Sequence, residues 1–111
     1  MLPPVHRMRR STEFSSVVRS GSRVRSGSVV VHHHADLGSG PARVGLVVSK
    51  AVGGSVVRHQ VSRRLRAQLA DRLVRLPDGS LTVVRALPDS ARATSQDLGR
   101  ALDRALERLA V

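Results

Sequence analysis

The chain is poor in several kinds of side chain, and each shortage narrows what it can do. It has no cysteine, which excludes disulfide bonds and thiolate metal sites. It has one phenylalanine and neither tyrosine nor tryptophan, so it offers few rings on which the bases of a single-stranded nucleic acid could stack. No apolar run approaches the length of a membrane span, and the first residues lack the apolar stretch of a secretory signal. We therefore expect a cytoplasmic protein that does not bind membranes.

Acidic residues are also scarce. Eight Asp and Glu stand against 19 Lys and Arg, which gives a formal net charge of +11 and a pI near 12.0. A domain this positive repels itself when compact, so the excess favours a polyanionic partner, and nucleic acid before an anionic membrane surface. Codon bias can explain why Lys50 is the only lysine, but it cannot explain the size of the net charge. With so few rings, phosphate contacts and arginine planes must carry the binding, which favours recognition of shape and backbone over base sequence.

A length of 111 residues and the absence of any dividing linker predict a single domain over residues 1–111. The first ten residues, rich in proline and arginine, predict a flexible basic arm. Because residues 43–49 are almost continuously apolar, we expect that strand at the centre of a sheet, buried on both faces. The whole pattern predicts an α/β (α+β) two-layer sandwich, in which three helices cover a small mixed sheet that contains a βαβ unit. Its elements are a short helix over 11–20, strands over 27–34 and 43–49, a long helix over 56–75, a strand over 80–87, and a C-terminal helix that begins at a Thr94–Asp97 capping box.

The long helix is predicted to have two different faces. Ser55, which follows Gly53 and Gly54, is the expected N-cap. The apolar residues recur every four positions and form a core-facing stripe of Val57, Val61, Leu65, Leu69 and Leu73. The opposite side carries His59, Arg63 and Arg66, with Arg64 on one flank and Arg58 near the edge of the stripe. Such a row is either a solvated helix face or a comb of cations that contacts phosphates.

Residues 49–66, SKAVGGSVVRHQVSRRLR, resemble the signature of the protein subunit of bacterial ribonuclease P. The pattern also departs from that signature at four positions. Ser55 replaces the usual Ala, His59 an Asn, Gln60 an Arg and Ser62 a Lys. The positions that match are Lys50, Gly53, Val56, Arg58, Val61, Arg63 and Arg66.

The resemblance extends over almost the whole chain and implies a fold, a function and partners. The fold is an α-β-β-β-α-β-α sandwich with a left-handed βαβ crossover. The function is to assist 5′ maturation of precursor tRNA by an endonuclease whose RNA subunit performs the chemistry, with Mg²⁺ held mainly by that RNA and the substrate. The implied partners are ribonuclease P RNA and the 5′ leader of precursor tRNA, and we expect the protein alone to be a monomer without catalytic residues of its own.

The resemblance also implies two groups of site residues. The signature helix and its preceding loop face the catalytic RNA, and a cleft between the first helix and the sheet holds the leader. The RNA-binding residues implied are Lys50, Gly53, Gly54, Arg58, His59, Arg63, Arg64 and Arg66. The leader-cleft residues implied are Arg9, Arg10, Phe14, Val18, His32 and His34. Phe14 also has the spacing of a core residue, and its ring could serve both purposes.

Three consecutive histidines also suggest a metal site. In a strand His32 and His34 share one face while His33 points to the other, so the run supplies two ligands where a closed zinc site needs more. We therefore predict no metal bound by the protein. Two alternatives stay open: a basic ribosomal or RNA-chaperone protein without a role in tRNA cleavage, and a free-standing histidine–metal nuclease.

Overall fold

The computed structural model describes residues 2, 4–8, 15, 17–19, 21–35 and 40–111. Residues 15 and 17–19 are helical, in agreement with the first predicted helix, and the rest of that helix lies outside the described residues. The other elements are strands β1 (Ser22–Ser26), β2 (Val29–His34), β3 (Arg43–Val47) and β4 (Leu81–Ala86), and helices α1 (Ser55–Ala70) and α2 (Ser95–Arg108). Short 3₁₀ helices span Pro4–His6, Leu73–Arg75 and Pro88–Arg92.

The four strands form one mixed sheet in the order β1-β2-β4-β3. The β1–β2 and β2–β4 pairs are antiparallel, whereas β3 and β4 are parallel. Because α1 connects the two parallel strands, the predicted βαβ unit and the mixed α/β sandwich are confirmed. The left-handed crossover stays a prediction.

The position predicted for β3 is wrong, because this strand lies at an edge of the sheet. The central strands are β2 and β4, in each of which five of six residues are buried. The outer edge of β3 is covered by the N-terminal segment: Arg7 forms a parallel bridge with Val44, and the Met8 amide donates to the Val44 carbonyl at 2.9 Å. An edge strand shielded in this way can keep an apolar sequence, which is why its composition resembled that of a central strand.

Much of the predicted flexible arm is docked. Leu2 and Met8 are buried, and the His6 Nδ1–H donates to the Ala42 carbonyl at 2.7 Å. Residues 2 and 4–8 therefore belong to the packed structure. Within residues 1–10, positions 1, 3, 9 and 10 lie outside the described residues.

One face of the sheet carries the main core against α1 and α2. The predicted stripe of α1 is confirmed: Val61, Leu65 and Leu69 are buried, and Val57 and Leu73 pack against the same core. The predicted helix is too long, however, because α1 ends at Ala70 and the chain continues as a 3₁₀ turn. Pro77 follows shortly after, and a proline disfavours helix at the residue before it.

The capping box at the start of α2 is confirmed. The Thr94 Oγ1 accepts from the Asp97 amide, and an Asp97 carboxylate oxygen accepts from the Thr94 amide, both at 3.0 Å. Among the described residues, no helix combines the length and apolar character needed to cross a membrane.

Candidate nucleic-acid interface

The loop that leads into α1 presents an uncapped helix N-terminus. Residues 49–53 form turns, closed by bonds from the Val52 amide to the Ser49 carbonyl and from the Gly53 amide to the Lys50 carbonyl, at 3.1 and 3.2 Å. The N-cap is Gly54 and not Ser55, which is the first helical residue, and no side chain caps the helix. The first turn also contains no acidic residue. Free amides and the positive end of the helix dipole make this loop a favourable place for a phosphate.

The two glycines of this loop have different roles. Gly53 has a φ of +156°, and a Cβ there would lie 3.0 Å from the side chain of Val57, so the turn needs glycine at this position. Gly54 is exposed, and a Cβ there would meet nothing within 4 Å. Gly53 therefore shapes the loop, whereas Gly54 leaves its backbone open to a ligand.

Four cationic or ring side chains of the signature segment face solvent. Arg63 and Arg66 are exposed, and neither makes a hydrogen bond or an ion pair with any described residue. Lys50 and His59 are likewise exposed and unpaired within the described part of the chain. A shallow groove lies along this face of α1, lined by His59, Arg63, Arg66 and Ala67. We call the set His59, Arg63 and Arg66 the outer face of α1, and Lys50 lies in the loop before it.

Arg58 and Arg64 are placed differently from the rest of the predicted comb. Both are half-buried. The Arg58 Nε is buried without a hydrogen-bond partner, and the Arg64 Nη1 donates to the Ala93 carbonyl at 3.1 Å. Arg64 thus ties α1 to the residue that precedes the capping box of α2, and only part of its guanidinium group stays available to a ligand.

The two arginines that follow α1 are both paired with one carboxylate. The Arg72 Nε donates to Asp103 of α2 at 2.7 Å and the Arg75 Nη1 donates to the same carboxylate oxygen at 3.1 Å. The hydrogen bond from Arg72 and the charges of both arginines hold the pKa of Asp103 below its usual value. Arg72 also donates to the carbonyl and the side-chain oxygen of Gln68, both at 2.8 Å. This end of the segment therefore joins the two helices, and its two guanidinium groups are engaged within the protein while their net charge is reduced by one.

The second face of the sheet carries arginines. Strand register places Arg23 of β1, Arg25 of β1 and Arg85 of β4 on the same face, and all three are exposed. Arg43 of β3 shares this face. The four strands that the structure describes contain no acidic residue. We call this surface the arginine face, and its positive charge is that expected of a surface that tracks a nucleic-acid backbone.

Two predicted cleft histidines lie on the arginine face. His32 is only 4% exposed, and its Nδ1 has no hydrogen-bond partner. Burial, followed by the charges of Arg85 and Arg23, lowers the pKa of His32, so its ring is neutral at pH 7. His34 is half-buried, and its Nδ1–H donates to the Ala35 carbonyl at 3.0 Å.

Described residues of the first helix lie beside the arginine face. Val17 is buried against Leu81 and Val83 on the arginine face. A groove beside it is lined by Ser15, Val18, Arg19 and Val47. Val18 is exposed, and its place in the leader cleft stays a prediction. The other three predicted cleft residues, Arg9, Arg10 and Phe14, lie outside the described residues.

Sequence reasoning missed Arg19, Arg23, Arg25 and Arg85 as candidate ligands of a nucleic acid. The signal was present in residues 22–26, SRVRS, where arginines alternate with Val24 as in a strand with one charged face. For Arg85 the signal was weaker, since only the pairing with Val30 shows which face it occupies.

The histidine run forms no metal cluster. His33 lies on the opposite face from its neighbours, where its Nδ1 shares a hydrogen bond of 2.9 Å with the Thr82 hydroxyl. Within the part of the chain that the structure describes, no group of three or more His, Cys, Asp or Glu side chains is arranged to hold a metal ion.

Comparison with known sequences gives one family. The family model of ribonuclease P matches residues 2–110. The ribonuclease P protein component of Beutenbergia cavernae is 52% identical over 109 residues, which cover 98% of this chain and 92% of that protein. The corresponding protein of Streptomyces bikiniensis is 50% identical over 117 residues, covering 98% of this chain and 95% of the relative.

Solved structures confirm the fold. The Staphylococcus aureus ribonuclease P protein, solved at 2.0 Å, superposes with a TM-score of 0.82 at 20% identity and covers 93% of this chain and 94% of its own. The Thermotoga maritima ribonuclease P protein gives a TM-score of 0.78 at 21% identity, with coverages of 92% and 96%. The chain belongs to the ribonuclease P protein family.

Proposed function

We propose that this protein binds the catalytic RNA of ribonuclease P through the loop at residues 50–55 and the outer face of α1, and holds the 5′ leader of precursor tRNA against the arginine face. As a member of its family, the chain is a protein subunit of ribonuclease P and has ribonuclease P RNA as its partner. The RNA would perform the cleavage, while the protein would raise substrate affinity and lower the magnesium requirement.

The observation that carries this proposal is the set of free cations on the outer face of α1. Arg63 and Arg66 are exposed and make no bond to the described protein, whereas Arg72 and Arg75 are bound to Asp103. Each phosphate that such a group contacts releases a bound counterion from the RNA, which favours binding. The adjoining helix N-terminus adds backbone donors to the same surface.

The leader site rests on a different observation. Arg23, Arg25 and Arg85 share one face of the sheet, and the helical residue Arg19 lines a groove that reaches β3 at Val47. A single strand of RNA could lie across this surface with its phosphates near the guanidinium groups. Most of these contacts are with the backbone, so we expect little dependence on the leader's sequence.

Magnesium belongs in this proposal to the RNA and the substrate. Carboxylate and phosphate oxygens are the ligands that Mg²⁺ prefers, and RNA phosphates supply them in quantity. Among the described acidic side chains, Asp103 is already bound by Arg72 and Arg75. We further propose that the protein alone is a monomer and acts in the cytoplasm.

The test is multiple-turnover cleavage of a precursor tRNA at low magnesium, with a bacterial ribonuclease P RNA in the presence and absence of this protein. We expect cleavage at the mature 5′ end only when both are present. A mixture that binds RNA tightly but gives no cleavage would contradict the proposal and favour a ribosomal or chaperone role. Cleavage by the protein alone, abolished by a chelator and by His32→Ala, would instead indicate a protein nuclease.

A further inference from the structure

One histidine ring differs from the others. All five histidines lie within the described residues. His6, His33 and His34 each make a hydrogen bond through Nδ1, and His32 is buried. His59 alone is exposed and has no hydrogen-bond partner among the described residues. In a chain without tyrosine or tryptophan, it is therefore a free aromatic ring on the outer face of α1.

The His59 ring lines a shallow groove on α1 that is mostly non-polar although the helix is basic. His59, Arg63, Arg66 and Ala67 lie at positions i, i+4, i+7 and i+8, so they share one side of α1 and line the groove together. Ala67 has the shortest of the four side chains and leaves a depression between the longer ones. The lining is mostly non-polar, although charged groups stand at its rim.

This arrangement fits a flat ligand better than it fits a phosphate. A phosphate is best bound by converging N–H donors, which the helix N-terminus and the guanidinium groups offer without the ring. A nucleobase has two apolar faces and polar edges, and it stacks on aromatic rings and on arginine planes. The segment 49–75 also carries seven cations and one acid, so RNA is drawn to this surface.

We infer that the groove binds an unpaired nucleobase of the catalytic RNA, which stacks on the His59 ring with Arg63 and Arg66 at its edges. The inference rests on the proposed function and adds one base contact to a surface that otherwise holds phosphates. It gives His59 a role that depends on its ring and not on its charge.

The test compares the affinity of ribonuclease P RNA for the wild-type protein and for His59→Phe, His59→Asn and His59→Ala, each over a range of salt concentrations. His59 is exposed, so these variants are expected to fold. We expect Phe to keep the wild-type affinity within about twofold, and Asn and Ala to lose about five- to tenfold, which is near the lower range for stacking of one base. Gln60→Ala, the exposed neighbour outside the groove, serves as the matched control and should bind as wild type.

The salt dependence separates stacking from a phosphate contact. Loss of a stacked base leaves the slope of log affinity against log salt unchanged, whereas loss of one phosphate contact reduces it by about 1. The inference is overturned if Phe loses as much affinity as Ala, if Ala loses none, or if the slope falls in the Ala variant. Failure of the wild-type protein to bind the RNA at all would overturn the proposed function as well.

Discussion

Two pairs of arginines lie within one stretch of thirteen residues, and they differ in whether the protein itself binds their side chains. Arg63 and Arg66 are exposed and unpaired among the described residues, whereas Arg72 and Arg75 both bind the carboxylate of Asp103. The sequence of the segment alone does not separate them, since every one of these residues adds to the same positive run. The acid that separates them is supplied by α2, 31 residues beyond Arg72. The number of cations in a segment therefore overstates the charge available to RNA.

The comparison divides the segment into a binding part and a structural part. The outer face of α1 should contribute to RNA affinity and little to folding stability. The cluster of Arg72, Arg75 and Asp103 should do the reverse, because it joins α1 to α2.

The largest effect is expected for Arg72→Ala. This side chain is 16% exposed and donates to Asp103 and Gln68, so its loss removes several bonds, one of them to a charged group, and leaves partly buried acceptors unpaired. We expect the free energy of unfolding in urea to fall by about 2 to 3 kcal/mol. Arg104→Ala, an exposed arginine of α2, is the control and should change stability by less than about 0.5 kcal/mol. Equal stability of the two variants would contradict the structural role of Arg72.

The next effect concerns the loop before α1. Gly53→Ala places a Cβ at a positive φ and 3.0 Å from the Val57 side chain, which should cost about 1 to 2 kcal/mol of unfolding free energy. Gly54→Ala has open space and an extended backbone, so its stability should be close to wild type. Thermal unfolding of the pair provides the measurement. A Gly54→Ala protein as destabilised as Gly53→Ala would show that the loop is not built as described.

A smaller effect is expected for Arg66→Ala in RNA binding. The loss of one exposed phosphate ligand should weaken the affinity for ribonuclease P RNA about fivefold and reduce the salt slope by about 1. Its folding stability should stay within about 0.5 kcal/mol of wild type. Filter binding at several salt concentrations measures the slope directly. An unchanged slope would show that Arg66 does not bind a phosphate, and unchanged affinity would place it outside the RNA contact.

The smallest effect is a pH dependence that belongs to Asp103. Because the hydrogen bond from Arg72 lowers the pKa of Asp103 in the folded state, its contribution to stability is present above the unfolded pKa of about 3.9 and is lost as the pH falls through the folded pKa. Asp103→Asn should therefore be less stable than wild type at pH 6, and the difference should shrink towards pH 3. The side chain is 43% exposed and solvent screens the pair, so we expect about 1 kcal/mol or less. A difference that grows on acidification would contradict the assignment.

Much of the fold could be predicted from local patterns. The stripe of Val61, Leu65 and Leu69 and the capping box of Thr94 and Asp97 depend on neighbours in sequence, and both are confirmed. The place of β3 at the sheet edge could not be predicted, because it depends on a distant segment that pairs with Val44.

In the candidate site, too, the features that depend on distant residues could not be predicted. That α1 has a basic outer face follows from helical periodicity and required no structure. Which cations stay free depends on Asp103 and on the Ala93 carbonyl, both supplied by residues far along the chain. The arginine face depends on the register in which β1 pairs with β2. The sequence between these two strands does not determine that register, so the face could not be predicted.

The central claim is that the outer face of α1, and not net charge as such, binds the catalytic RNA. The most direct test compares the affinity of ribonuclease P RNA for Arg63→Ala/Arg66→Ala with that for Arg100→Ala/Arg104→Ala, since both variants remove two exposed helical arginines and the same charge. We predict that the first loses about tenfold or more in affinity, equivalent to about 1.4 kcal/mol, and that the second stays within about threefold of wild type. Equal losses in the two variants would contradict the account, because they would mean that the RNA responds only to the total charge of the protein.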